Sequence, residues 1–155
     1  MGELLHHLIR DGAATAGQAP ALHHRGDSLG YAALWQAVQD CARGLAGLGL
    51  ERAERVAVYL PKQFETVVGL FGAAAAGGAF VPVNPVLKPA QVGYIMQNAG
   101  ARVLITAFER ARLLADVLAG CHDLRWVVLV DGDPAELPGS IARLALRWDD
   151  LLAGR

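Results

Sequence analysis

The amino-acid sequence predicts an α/β fold: a mainly parallel sheet with helices on both faces, preceded by a small amino-terminal hairpin. Three observations carry this reading. Short apolar runs recur at "RVAVYL" (55–60), "AFVPV" (79–83), "RVLIT" (102–106) and "WVVLV" (126–130). Each is apolar throughout instead of alternating, the pattern of strands buried on both faces. The segments between them carry apolar residues at helical spacing, with glycine and proline at the junctions. Strand and helix in alternation build a parallel sheet covered on two sides.

Taken in order, the start "MGELLHHLIRDGAATAG" has an acid and an early arginine where a signal peptide needs a basic region before a long apolar one. Met1-Gly2 has the form of a myristoylation start, but His6 stands where Ser or Thr is required. "ALHHRGDSLGY" (21–31) reads as a hairpin, with Gly26-Asp27 in the turn and Leu22 and Leu29 facing a neighbour. A helix follows from about Tyr31, with Leu34, Val38, Cys41, Leu45 and Leu48 on one stripe and Gly49 as its stop. After the first core strand, Pro61 opens a second helix whose stripe is Phe64, Val67, Val68, Phe71 and Ala75. Gly69 and Gly72 weaken that helix by up to about 1 kcal/mol each; with Ala73 they fit close approach of the helix to the sheet. Pro89 sits in the first turn of a third helix, with Val92, Ile95, Met96 and Ala99 on one face and Gly100 at its end. Phe108 to Ala119 is a fourth helix. Beyond the last strand, "DGDPAELPGSIARLALR" (131–147) has turn chemistry and no clear period, and Trp148 starts a short helix.

At 155 residues the chain makes a single α/β segment and is too short for two ordinary domains. It is 54% hydrophobic with a mean hydropathy of +0.31, yet no stretch approaches the roughly 20 uninterrupted apolar residues of a membrane helix. Net charge is −1 and no basic block exists, so neither nucleic acid nor a membrane span is expected. Cys41 and Cys121 are far apart and lack metal-like spacing, which fits free thiols in a reducing cytoplasm.

The stretch "GGAFVPVNPVLKPAQV" (77–92) breaks a core strand with two prolines. In a parallel sheet ligands bind at the carboxyl ends of the strands, and "VPVNP" is a carboxyl end. Pro82 suits a strand leaving the ladder or lying at an edge, while Asn84-Pro85 fixes the turn after it. The stretch contains no acid, base or nucleophile.

These residues carry a resemblance. "LGYAALW" (29–35), "RVAVYLPKQFETVVGLFGAAAAGGAFVPVNP" (55–85) and "QNAGARVLIT" (97–106) resemble, in order and spacing, the amino-terminal part of AMP-forming acyl-CoA synthetases. The wider superfamily of adenylate-forming enzymes includes the adenylation domains of peptide synthetases. "LLHHLI", "LPKQFETVV" and "FVPVNPVLKPAQV" are most similar to the acyl-CoA ligases associated with exosortase A systems. Gly30 departs from the family motif, which has a hydroxyl residue there. The resemblance implies the amino-terminal subdomain of an enzyme that uses ATP, Mg²⁺ and CoA. A carboxylic (fatty) acid attacks the α-phosphate of ATP to give acyl-adenylate and pyrophosphate, and the CoA thiol then displaces AMP. It also implies that the phosphate-holding Ser/Thr/Gly-rich loop, the nucleotide-binding acids and the adenylating lysine belong to a missing carboxyl-terminal part, the expected partner of this segment. No catalytic or metal residue is assigned to positions 1–155, and these residues alone are expected to be inactive.

Few other residues invite chemistry. "GAAAAGG" (72–78) has P-loop glycine spacing without the Lys-Ser/Thr, and it precedes a strand instead of following one. Lys62 follows Pro61 at the carboxyl end of a strand and the start of a helix, where an anionic ligand group is welcome. Lys62 is the ligand-side candidate; the plainer reading is a solvated lysine. His6, His7, His23, His24 and His122 read as surface residues: the first four are adjacent pairs whose rings diverge, so a metal would need ligands from elsewhere, and His122 stands alone in a loop. A short non-catalytic binding or interaction module of the same fold is the alternative reading. A flavodoxin-like nucleotide binder fits the topology but not the missing phosphate loop. Exposed apolar surface or an uncovered sheet edge, offered by "VLIT" or "WVVLV", further predicts a homodimer.

Overall fold

The structure, a computed structural model, describes residues 4–154. Met1-Gly2 and the reading attached to them lie outside the described residues. Among the described residues seven strands and seven α-helices follow in this order: α1 (His7–Ala16), β1 (Pro20–His24), β2 (Asp27–Gly30), α2 (Tyr31–Gly47), β3 (Arg55–Tyr59), α3 (Phe64–Ala75), β4 (Ala79–Pro82), α4 (Pro89–Ala99), β5 (Val103–Thr106), α5 (Phe108–Ala119), β6 (Trp126–Leu129), α6 (Gly139–Ala142), β7 (Ala145–Arg147) and α7 (Trp148–Ala153). A 3₁₀ turn at Pro134–Glu136 precedes α6.

β1 and β2 form the expected antiparallel hairpin, with Leu22 opposite Leu29. Its turn is Arg25-Gly26, not Gly26-Asp27. Both turn residues have positive φ (49° and 85°), and Asp27 already pairs with His24. That mirror-image turn matches the twist of the two strands.

The main sheet is parallel throughout, in the order β4-β3-β5-β6-β7. Alternate strand residues feed two cores. Val56, Val58, Val103, Ile105 and Val128 meet α2, α3 and α7 on one face. Ala57, Tyr59, Leu104, Val127 and Leu129 meet α4, α5 and α6 on the other. Each fully buried Leu or Ile here stabilises the fold by about 1.5–3 kcal/mol relative to exposure. α1 lies outside α2 and reaches the core through Ile9.

Three expectations change. Pro61 does not open α3; the helix begins at Phe64, with Gln63 extended as its N-cap. Gly72 approaches α2 instead of the sheet, since a Cβ there would lie 2.5 Å from Cys41 Sγ, whereas Gly69 does face the sheet through Ile105 and Val58. Neither "VLIT" nor "WVVLV" is an edge: β5 and β6 are interior, and β7 from the aperiodic 131–147 stretch pairs with β6.

At the amino ends of the strands, Arg102 bridges Glu54 (2.7 Å) and Asp123 (3.5 Å). A backbone hydrogen bond to Glu51 and the Arg102 guanidinium hold the Glu54 carboxyl below the usual range. These ion pairs line a cleft at this end of the sheet.

Candidate functional site

The chain leaves β3 toward β4 on one side and, after α4, crosses to β5 on the other. The strand order therefore reverses between β3 and β5, and the crevice outside their carboxyl ends is where a doubly wound sheet receives ligand. The backbone there is tightly pinned. The Thr106 hydroxyl, fully buried, donates to the Tyr59 carbonyl at 2.7 Å and joins the two strand ends. Asp131, just past β6, accepts the Phe108 N–H at 2.6 Å and so satisfies the start of α5.

Beside this crevice lies a cavity of about 310 Å³ lined by Val58, Leu60, Thr66, Leu70 and the stretch Pro82 to Pro85. The two prolines thus form its wall. β4 is an edge strand, and the N–H groups of Ala79 and Val83 donate inward to Glu54 and Val58, both at 2.9 Å. The Pro82 nitrogen consequently points to the free edge, where no donor is needed. Thr66 does not offer its hydroxyl to the cavity; it donates to the Pro61 carbonyl at 2.6 Å.

Lys62 lies exposed between β3 and α3. It lines a second cavity, of about 360 Å³, with Leu22, His23, His24, Gln63, Phe64 and Val67. Its ammonium has no ion-pair or hydrogen-bond partner among the described residues. Thr66 lines both cavities, so the one beside the hairpin adjoins the one at the strand exits. The hairpin's part in it was not legible in sequence, because a fixed spacing does not reveal which face of the domain a hairpin covers.

The histidines are not all at the surface. His6 is 8% exposed, stacked on Trp35 at 6.4 Å with the rings nearly parallel. Burial, then the neighbouring His7 and Arg10 charges, lower its pKa. His122 lines a separate cleft with Met96, Gln97, Cys121 and Asp123 at the opposite end of the sheet. Among the described residues no group of three His, Cys, Asp or Glu side chains is arranged to hold a metal ion, and no helix is long and apolar enough to cross a membrane.

Residues 9–148 match the sequence profile of a family described as AMP-binding enzyme. An isonitrile lipopeptide synthase of Streptomyces coeruleorubidus is 31% identical over 109 residues, covering 70% of this chain and 7% of the relative. A feruloyl-CoA synthase of an Amycolatopsis species is 35% identical over 102 residues, covering 66% of this chain and 21% of the relative. Among solved structures, the anthranilate CoA ligase AuaEII in complex with anthranoyl-AMP superposes with a TM-score of 0.87 at 22% identity, over 98% of this chain and 28% of that one. The last likeness is one of fold, and the chain spans less than a third of the length of each of these proteins. The profile match runs from α1 to the start of α7 and takes in the whole parallel sheet with its pinned carboxyl end; the chain belongs to the AMP-binding enzyme family, with the fold of the amino-terminal subdomain of adenylate-forming ligases.

Proposed function

We propose that this chain is the amino-terminal segment of a cytoplasmic AMP-forming acyl-CoA ligase, and that it supplies one wall beside the acyl and nucleotide pockets. The observation that carries the reading is the 35% identity to a feruloyl-CoA synthase over 102 residues. In this reading a fatty or other carboxylic acid attacks the α-phosphate of ATP, pyrophosphate leaves, and CoA displaces AMP from the acyl-adenylate. The wording of "LPKQFETVV" and "FVPVNPVLKPAQV" supports a narrower place among the ligases associated with exosortase A systems.

The residues present do not fit the triphosphate or its Mg²⁺. The 310 Å³ cavity is walled mainly by aliphatic side chains and prolines, with Thr66 and Asn84 as its polar residues and no charged group. Asp131 is engaged with a backbone N–H, and the described residues offer no metal cluster. ATP, CoA and Mg²⁺ therefore fall to the remainder of the enzyme. Lys62 is the residue here placed to meet an anionic group, at the mouth of the second cavity.

ATP–pyrophosphate exchange with a panel of carboxylic acids tests the reading, followed by CoA-dependent release of AMP. The expected result is exchange by the full-length protein and none by residues 1–155 alone. Exchange by the 155 residues alone, or no exchange by the full-length protein with any acid, overturns it. The identity to a lipopeptide synthase favours a second reading, an adenylation domain that passes its acyl group to a carrier. Exchange that is followed by no CoA-dependent AMP release selects it.

A further inference from the structure

The loop from β4 to α4, residues 83–88, is tied by side chains from two other elements. The Tyr59 hydroxyl, at the end of β3, donates to the Leu87 carbonyl at 2.6 Å. Arg110, in the first turn of α5, donates through Nη1 to the Pro85 carbonyl at 2.8 Å. The same guanidinium lies 4.6 Å from the centroid of the Tyr59 ring, within the range of a cation–π contact. Asn84 adds two local ties, accepting the Val86 N–H on Oδ1 and the Leu87 N–H on its carbonyl, both at 3.1 Å. Tyr59 itself is only 5% exposed and pinned at its carbonyl by Thr106. Its hydroxyl therefore reaches the loop from a fixed base.

Arg110 forms no salt bridge among the described residues. A half-buried arginine spent on a backbone carbonyl and a ring fixes the place of that carbonyl. The carbonyl belongs to Pro85, which with Asn84 lines the 310 Å³ cavity. A loop that only connects a strand to a helix needs no such ties, whereas a wall that touches substrate must hold its place to a fraction of an ångström. The cavity's Val58, Leu60, Leu70, Pro82 and Val83 suit the hydrocarbon part of a ligand and not a phosphate; of its two polar side chains, Thr66 donates to the Pro61 carbonyl and Asn84 Oδ1 accepts the Val86 N–H.

We propose that Tyr59 and Arg110 are positioning residues that hold the Asn84-Pro85 wall against the hydrocarbon part of the acid substrate. This rests on the acyl-CoA ligase reading above. The test uses the full-length protein and measures ATP–pyrophosphate exchange for wild type, Tyr59→Phe, Arg110→Ala and Arg110→Lys. Amide hydrogen exchange at Val86 and Leu87 is followed in parallel. Tyr59→Phe and Arg110→Ala are expected to raise KM for the acid about fivefold, the effect of one hydrogen bond. KM for ATP and kcat should stay within about twofold, and the Val86 and Leu87 amides should exchange faster. Arg110→Lys keeps a cation near the ring but loses the Nη1 donor to the Pro85 carbonyl, so it is expected to recover part of the acid KM. Faster exchange with an unchanged acid KM shows a purely structural clasp and overturns the proposal. Unchanged exchange overturns it too, as does a common rise of both KM values with a lowered melting temperature. Absence of activity already in wild type sinks the ligase reading and takes this proposal with it; activity in wild type with unaltered variants sinks the proposal alone.

Discussion

Cys41 illustrates how much a single side chain owes to its neighbours. Its spacing in the sequence marked it as a core residue of α2, and it is fully buried. Burial, with Asp40 adding to it, pushes the thiol up to about 12. The reason for that burial is Gly72 on α3, whose missing side chain admits the sulfur. A folded-state pKa above the unfolded one means the native state holds its proton longer. The contribution is complete below the ordinary thiol value near 9 and is lost as pH rises toward 12. The expected outcome is that the stability advantage of wild type over Cys41→Ala shrinks by a few kcal/mol between pH 9 and the upper end of that window, at about 1.4 kcal/mol per pH unit. Urea denaturation of both proteins across that range measures it; a constant difference contradicts the burial argument. Lys62 was legible as a ligand-side candidate from its place after a strand, but its cavity with His23 and His24 was not. His6 was misread as a surface residue, because its stacking partner Trp35 is remote in sequence.

At the scale of elements, the main-sheet strands at 55–59, 79–82, 103–106 and 126–129 lie where the apolar runs placed them, to within a residue or two at each end. α2 and α4 also carry the expected stripes, and α5 spans the expected residues. The misses share a cause. β7, at three residues, is too short to carry a readable period, and α1 buries only Ile9. α3 buries Val68 of its expected stripe together with Gly69, Gly72 and Ala73, while Phe64, Val67, Phe71 and Ala75 are partly buried, because it is pressed between the sheet and α2. The edge position of β4 gives Pro82 a function that its sequence context only allowed: it removes the donor that another strand would need. Pro82→Val is therefore expected to keep the melting temperature of the 155-residue chain within about 2 °C while increasing its self-association. Light scattering during thermal and concentration series reads both. A large fall in melting temperature without added association points to the turn, not the edge.

For the whole molecule, one face of α1 and its approach leave apolar side chains in solvent: Leu4 is 58% exposed and Leu8 62%. Val86 at 79% and Tyr94 at 71% add apolar surface around α4. Exposed aliphatic groups of this size favour association. The 155-residue chain is expected to sediment with a weight-average mass that rises with concentration, and Leu4→Gln with Leu8→Gln is expected to reduce that rise. Sedimentation velocity tests both. A single monomeric species across the series contradicts the expectation and favours a self-sufficient binding module. Of the two routes read in sequence, the edge at "VLIT" or "WVVLV" is ruled out, since β5 and β6 are interior and the free edges are β4 and β7.

What the sequence determined by itself was local and periodic: the fold class, the strands, most helices, the hairpin and a family resemblance carried by motifs in order. These follow from side-chain spacing, which the backbone converts directly into a face of a helix or a strand. Only the tertiary structure decided which strand lies at the edge, which helix Gly72 lets approach, and that Tyr59 and Arg110 meet over Pro85 and Leu87. Those facts depend on the order of strands in the sheet, and strand order is set by how the crossovers pack, not by the pattern within any one segment.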